Sequence, residues 1–107
     1  MCYTVRMLTF REAQVKSMIR ATLLLFSGEL AQAHVYFFGS RINGQARERS
    51  DFDVAIDGSL PVEPRLFARI RTALDELPTL YQVDLVDLAS VPASVRSEML
   101  GCVESIL

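Results

Sequence analysis

Two carboxylates separated by one residue, in Asp51-Phe52-Asp53, follow a Gly39-Ser40 pair after ten intervening residues, and these are the groups of the chain best spaced for chemistry. Residues two apart on a strand share a face, so Asp51 and Asp53 converge on one side of a sheet. Oxygen donors paired in this way suit a hard divalent cation such as magnesium, and the cation would remove their mutual repulsion. A solvated strand face tolerates that repulsion too, so Asp-x-Asp alone is compatible with either a metal clamp or a wet surface. Gly39 lets backbone approach a ligand closely, and Ser40 can cap a following helix and present N–H groups and a hydroxyl to an anion. Gly-Ser is equally an ordinary turn and helix start. Together the two motifs describe a triphosphate held at one end by the turn and at the other by magnesium, as phosphoryl-group chemistry requires.

The elements around these residues must place them. Thr9 and Glu12 form a capping-box pattern, and Val15, Met18, Ile19, Thr22, Leu23 and Phe26 then recur at helical spacing. This predicts a helix from Phe10 to Ser27 stopped by Gly28, with Arg11, Lys16 and Arg20 on its solvated face. His34-Val35-Tyr36-Phe37-Phe38 reads as a buried strand that ends abruptly at Gly39-Ser40. A second strand, Asp51 to Asp57, alternates: Phe52, Val54 and Ile56 face the core while Asp51, Asp53 and Ala55 face away. Asp57 continues that alternation, but at an Asp57-Gly58 turn its side chain is expected to bond local backbone.

Pro61 and Pro64 punctuate a loop before Leu66, Phe67, Ile70, Leu74 and Leu77, the apolar face of a second helix ending before Pro78. Gln82 to Leu88 reads as a third strand, and Pro92 to Gly101 brackets a last helix. The tail from Cys102 to Leu107 fits a final edge strand or a frayed helix. The order predicts an α/β (α+β) sandwich: a small mixed sheet of three or four strands with helices packed on one face, in a single domain spanning residues 1–107.

The chain has 107 residues, of which 50% are hydrophobic and 22% charged, so intrinsic disorder and fibrous classes are excluded. Eleven Lys+Arg against 13 Asp+Glu leave a net charge of -2, without the broad basic field that sequence-independent nucleic-acid binding uses. Direct nucleic-acid binding is not expected. Cys2 and Cys102 lie at opposite ends and His34 is the single histidine, so neither a structural zinc site nor a disulfide scaffold is indicated. The apolar run Ala21 to Phe26, followed by Ala31-Gln32-Ala33, imitates a secretion signal but falls short of the usual ~7–15 residues. A cytoplasmic protein without membrane association is the resulting expectation. His34, Tyr3, Tyr36 and Tyr81 read as surface or packing residues.

Gly39-Ser40, ten residues, Asp51-Phe52-Asp53 and then Val83-Asp84-Leu85-Val86-Asp87 resemble the DNA polymerase beta-like nucleotidyltransferase superfamily. More narrowly, Gly39-Ser40-Arg41 with Gly44 is similar to the minimal nucleotidyltransferases, and the likeness runs from about Ala13 to Leu100. The resemblance implies the polymerase beta-like fold and two-metal catalysis: Asp51, Asp53 and Asp84 as catalytic residues holding two Mg2+ ions, with ATP as substrate. Asp87 is set aside by strand parity, since it shares a face with Val83 and Leu85. Gly39 and Ser40 would hold terminal phosphates, with Arg41 as a nucleotide-binding residue and Arg47 or Arg49 as further candidates.

The same resemblance implies an antitoxin that transfers AMP from ATP to a hydroxyl on a HEPN-domain toxin. The other readings are a non-catalytic toxin-binding subunit, transfer to a small molecule such as an aminoglycoside, possible in a homo-oligomer whose interface completes the pocket, and a bare structural domain.

Overall fold

The computed structural model describes residues 10–39 and 52–107. Helix α1 (Phe10–Leu24) buries Val15, Ile19 and Leu23 at helical spacing. It stops three residues before the expected end. Leu25, Phe26 and Ser27 donate to carbonyls three residues back, at 3.1, 3.0 and 3.2 Å, so the chain tightens into turns that carry Phe26 and Leu30 into the core. Leu24 and Leu25, inside the same apolar run, are left exposed.

Strands β1 (Ala33–Phe38), β2 (Phe52–Gly58), β3 (Val83–Asp87) and β4 (Val103–Ser105) form one sheet in the order β3-β2-β1-β4. β1 pairs antiparallel with β2 and β4, whereas β2 and β3 are parallel. A parallel pair needs a crossover, and α2 (Pro64–Asp75) supplies it. Pro64 belongs to that helix as its first residue rather than to the loop, where its missing N–H costs no hydrogen bond; Glu63 caps it by accepting from the Leu66 N–H at 2.9 Å. The Cys102–Leu107 tail resolves as the edge strand: Val103, Glu104 and Ser105 pair with Phe38, Phe37 and Tyr36.

The alternation in the strands decides the layers. Val35, Phe37, Phe52, Val54, Ile56 and Val83 point to one face and pack with α1 and α2 residues in the main core. Phe52 is the hinge of an aromatic row, edge-on to Phe37 at 6.4 Å and to Tyr81 at 5.4 Å. On the other face Phe38, Ala55 and Leu88 form a smaller cluster joined by Met99 and Leu100 from the end of the short helix α3 (Ala93–Met99). The two long helices thus share one side of the sheet, as expected, and a short helix shelters part of the other. Among the described residues no helix is long and apolar enough to cross a membrane.

Lys16 departs from the sequence expectation. It is 7% exposed rather than solvated, with its Nζ 2.8 Å from a Glu104 carboxylate oxygen and 5.0 Å from the centre of the Phe37 ring. Its four-carbon stem covers core surface while the ammonium reaches an anion on the edge strand. Helical periodicity places Lys16 beside Val15 and Ile19, but only β4 supplies the partner that makes its burial tolerable.

Candidate active site

The start of β2, the end of β1 and the start of β3 meet at one end of the sheet. Phe38 is the Cα partner of Asp53, and Asp53 is in turn the Cα partner of Asp84 in the parallel pair. Adjacent strands lie about 4.8 Å apart, so the two aspartates stand as neighbours on one face, both half-buried. That face is opposite Phe52 and Val54, which are fully buried in the core. Hydrophobic burial of alternate residues therefore forces the carboxylates outward, at about 1.5–3 kcal/mol for each buried large side chain.

Gly39 continues β1 directly into this corner with φ +82°, a conformation that L side chains rarely adopt. A methyl group there would run into the Asp53 carboxylate, whose Cγ lies 3.2 Å and whose Cβ lies 3.5 Å from the added carbon. Glycine is thus required twice, for the turn and for the approach of backbone to the carboxylate.

Asp84 accepts a hydrogen bond on its Oδ1 from the Gln82 amide at 3.2 Å. Asp87, on the opposite parity and paired with Ile56, has different work. Its carboxylate accepts from the Val62 N–H at 2.8 Å and the Ala89 N–H at 3.1 Å, tying the β2–α2 loop to the end of β3 and capping the short 3-10 helix Leu88–Ser90. The separation of Asp84 from Asp87 by strand parity is therefore observed.

Of the residues singled out in the sequence, the structure brings together Gly39, Asp53 and Asp84. Asp51, Ser40 and Arg41 lie outside the described residues, as do Gly44, Arg47, Arg49 and Thr9. Among the described residues no three metal-ligating side chains gather. Asp53 and Asp84 are a pair of carboxylate donors, a chemistry that suits a hard divalent cation.

Asp57, four residues along β2 on the face of Asp53, differs from its expected role. Its Oδ1 accepts from Arg96 Nη2 at 2.8 Å and Nε at 3.3 Å, a two-pronged ion pair to α3 rather than a local turn bond. Arg96 carried no sequence signal, because its partner is 39 residues distant. His34, the Cα partner of Asp57, is exposed and stacks on Tyr36 at 6.0 Å, two steps or more from the Asp53 corner.

Comparison with known proteins agrees with this fold. The family model described as polymerase beta, nucleotidyltransferase matches residues 25–107. The probable protein adenylyltransferase MntA of Haemophilus influenzae is 31% identical over 91 residues, covering 84% of this chain and 80% of that protein. A solved structure presented as a candidate minimal nucleotidyltransferase superposes with a TM-score of 0.65 at 26% identity, covering 86% of this chain and 92% of its own. A complex of a tri-AMPylated Shewanella oneidensis HEPN toxin with its MNT antitoxin shares the fold, with a TM-score of 0.57 at 16% identity over 86% of this chain and 71% of that one. With its sequence matched to the family model and to that relative, the chain belongs to the polymerase beta nucleotidyltransferase family, with the minimal nucleotidyltransferase MntA as a homologue.

Proposed function

We propose that this protein is a magnesium-dependent nucleotidyltransferase that moves AMP from ATP to a hydroxyl on a partner protein, as the antitoxin of a HEPN-domain toxin. The observation that carries this reading is the register that sets Asp53 beside Asp84 with Gly39 closed against Asp53. Asp51, Asp53 and Asp84 would hold the metal, which when bound supplies positive charge to the phosphates and lowers the pKa of an oxygen at the site. The chain's own groups do the rest. Gly39 and Ser40 hold the terminal phosphates, Arg41 offsets charge on the departing pyrophosphate, and the acceptor proton is taken up at the Asp84 carboxylate. The acceptor oxygen then bonds to the α-phosphorus as the bond to pyrophosphate breaks.

We read residues 1–107 as one catalytic domain, to which the partner brings the acceptor hydroxyl. The name of the Haemophilus influenzae relative and the AMPylated toxin in the Shewanella oneidensis complex support protein as the acceptor and HEPN toxin as the partner. Labelled ATP, magnesium and the HEPN partner are incubated with the protein, and label transfer and residual toxin activity are both measured. Modification by far less than equimolar protein supports the enzyme. Neutralisation only at equimolar dose, without label on the toxin, supports a binding subunit instead. Calorimetry adds a second check: triphosphate binding should require the divalent cation, and binding that ignores a chelator would count against the site. Ser40→Ala is expected to slow turnover and leave the fold intact, because Ser40 positions phosphate and forms no covalent bond to it.

A further inference from the structure

One residue touches both strands of the carboxylate corner without being acidic. Gln82 immediately precedes β3, and its backbone carbonyl accepts from the Phe52 N–H at 2.9 Å. Phe52 immediately precedes Asp53, so this bond starts the β2–β3 ladder at the residue that fixes the facing of Asp53. The side chain of Gln82 follows strand parity to the face of Asp84, where its amide nitrogen donates to Oδ1 at 3.2 Å. Gln82 is itself exposed and packs no part of the core.

We infer that Gln82 is a positioning residue for the carboxylate pair: through Oδ1 it restrains the Asp84 carboxylate on the face that Asp84 shares with Asp53. This inference rests on the proposed nucleotidyltransferase reading. The identity of the donor matters. An amide N–H occupies one lone pair of Oδ1 and carries no charge, so the carboxylate keeps its full attraction for a cation. A lysine or arginine in the same place would restrain the carboxylate equally well, yet it would oppose a divalent ion by direct charge repulsion. Neutral hydrogen bonding to a metal ligand orients the ligand without spending its charge.

Three full-length proteins test this: wild type, Gln82→Ala and Gln82→Lys. Mn2+ binding is followed by loss of the free-ion spin-resonance signal in the presence of a non-hydrolysable ATP analogue, and AMP transfer to the HEPN partner is titrated against Mg2+. Both variants should melt with wild type, because the side chain is exposed. Gln82→Ala should weaken Mn2+ binding by about tenfold, the low end for losing a hydrogen-bond partner of a metal ligand. Its maximal transfer rate should recover at high Mg2+, whereas a structural defect would not be relieved by metal. Gln82→Lys should bind Mn2+ more weakly than Gln82→Ala. If wild type takes up Mn2+ with nucleotide and Gln82→Ala binds it equally well, the positioning role is wrong, whatever the lysine variant does. If wild type itself neither takes up Mn2+ with nucleotide nor transfers AMP, the nucleotidyltransferase reading fails first.

Discussion

Asp53 and Asp57 occupy the same strand and the same face of it, four residues apart, and the protein treats them oppositely. Asp57 is 12% exposed at its side chain and is met by a guanidinium from α3, so its charge is matched within the fold. Asp53 is set beside another acid, Asp84, with a glycine backbone closed against it. A carboxylate bound by an arginine ties elements together, while two carboxylates side by side bring together oxygen donors of the kind a divalent cation takes. Neither side chain differs in chemistry. Their neighbours assign one to architecture and the other to the candidate site.

The strongest way to break that contrast is to neutralise each acid in turn. Asp53→Asn should lower AMP transfer by about three orders of magnitude, the scale of a lost preorganised electrostatic contact, while leaving the melting curve close to wild type. Asp57→Asn should leave transfer within about threefold of wild type, since its pair touches no part of the corner. Equal losses in kinetic assays of the two variants would abolish the distinction.

Gly39→Ala probes the geometry around Asp53 instead of its charge. The left-handed backbone should cost about 1–2 kcal/mol, read by urea unfolding. The displaced carboxylate should cost transfer by about one to two orders of magnitude. An alanine variant with wild-type kinetics would mean that the approach of Gly39 to Asp53 has no part in the site.

Two ion pairs, Lys16–Glu104 and Arg96–Asp57, sharpen the architectural side. Lys16 is buried and Glu104 is 43% exposed, so the pair is asymmetric. Glu104→Gln leaves the ammonium without its counter-charge and should destabilise by about 1–3 kcal/mol. Lys16→Met keeps the stem packed on the core and leaves Glu104 open to water, so it should cost less than Glu104→Gln in the same denaturation series. Arg96→Ala is the parallel case, since it takes a 43% exposed partner away from a carboxylate that is only 12% exposed; it should destabilise by about 1–3 kcal/mol without altering the metal dependence of transfer.

Much of this fold was legible because its strands alternate strictly. Phe52, Val54 and Ile56 must go to the core, and that alone sends Asp53 outward and separates Asp84 from Asp87 on the next strand. The helix stripe Val15, Ile19, Leu23 was legible for the same reason at a different period. The end of α1 was not. Gly28 promised a stop, but the chain leaves helical geometry after Leu24 because the tighter turns allow Phe26 and Leu30 to reach the core.

What the sequence by itself determined is therefore the set of elements, the facing of each strand and the acids that share a face, since all of these follow from local periodicity and backbone geometry. Only the tertiary structure decided which long-range partners those side chains meet. The pairing of Arg96 with Asp57, the burial of Lys16 against Glu104 and Phe37, and the parallel register that sets Asp53 beside Asp84 each join residues about 20 to 90 positions apart. Charge pairs of this kind leave no periodic trace, because their strength depends on distance and exposure after the layers have closed.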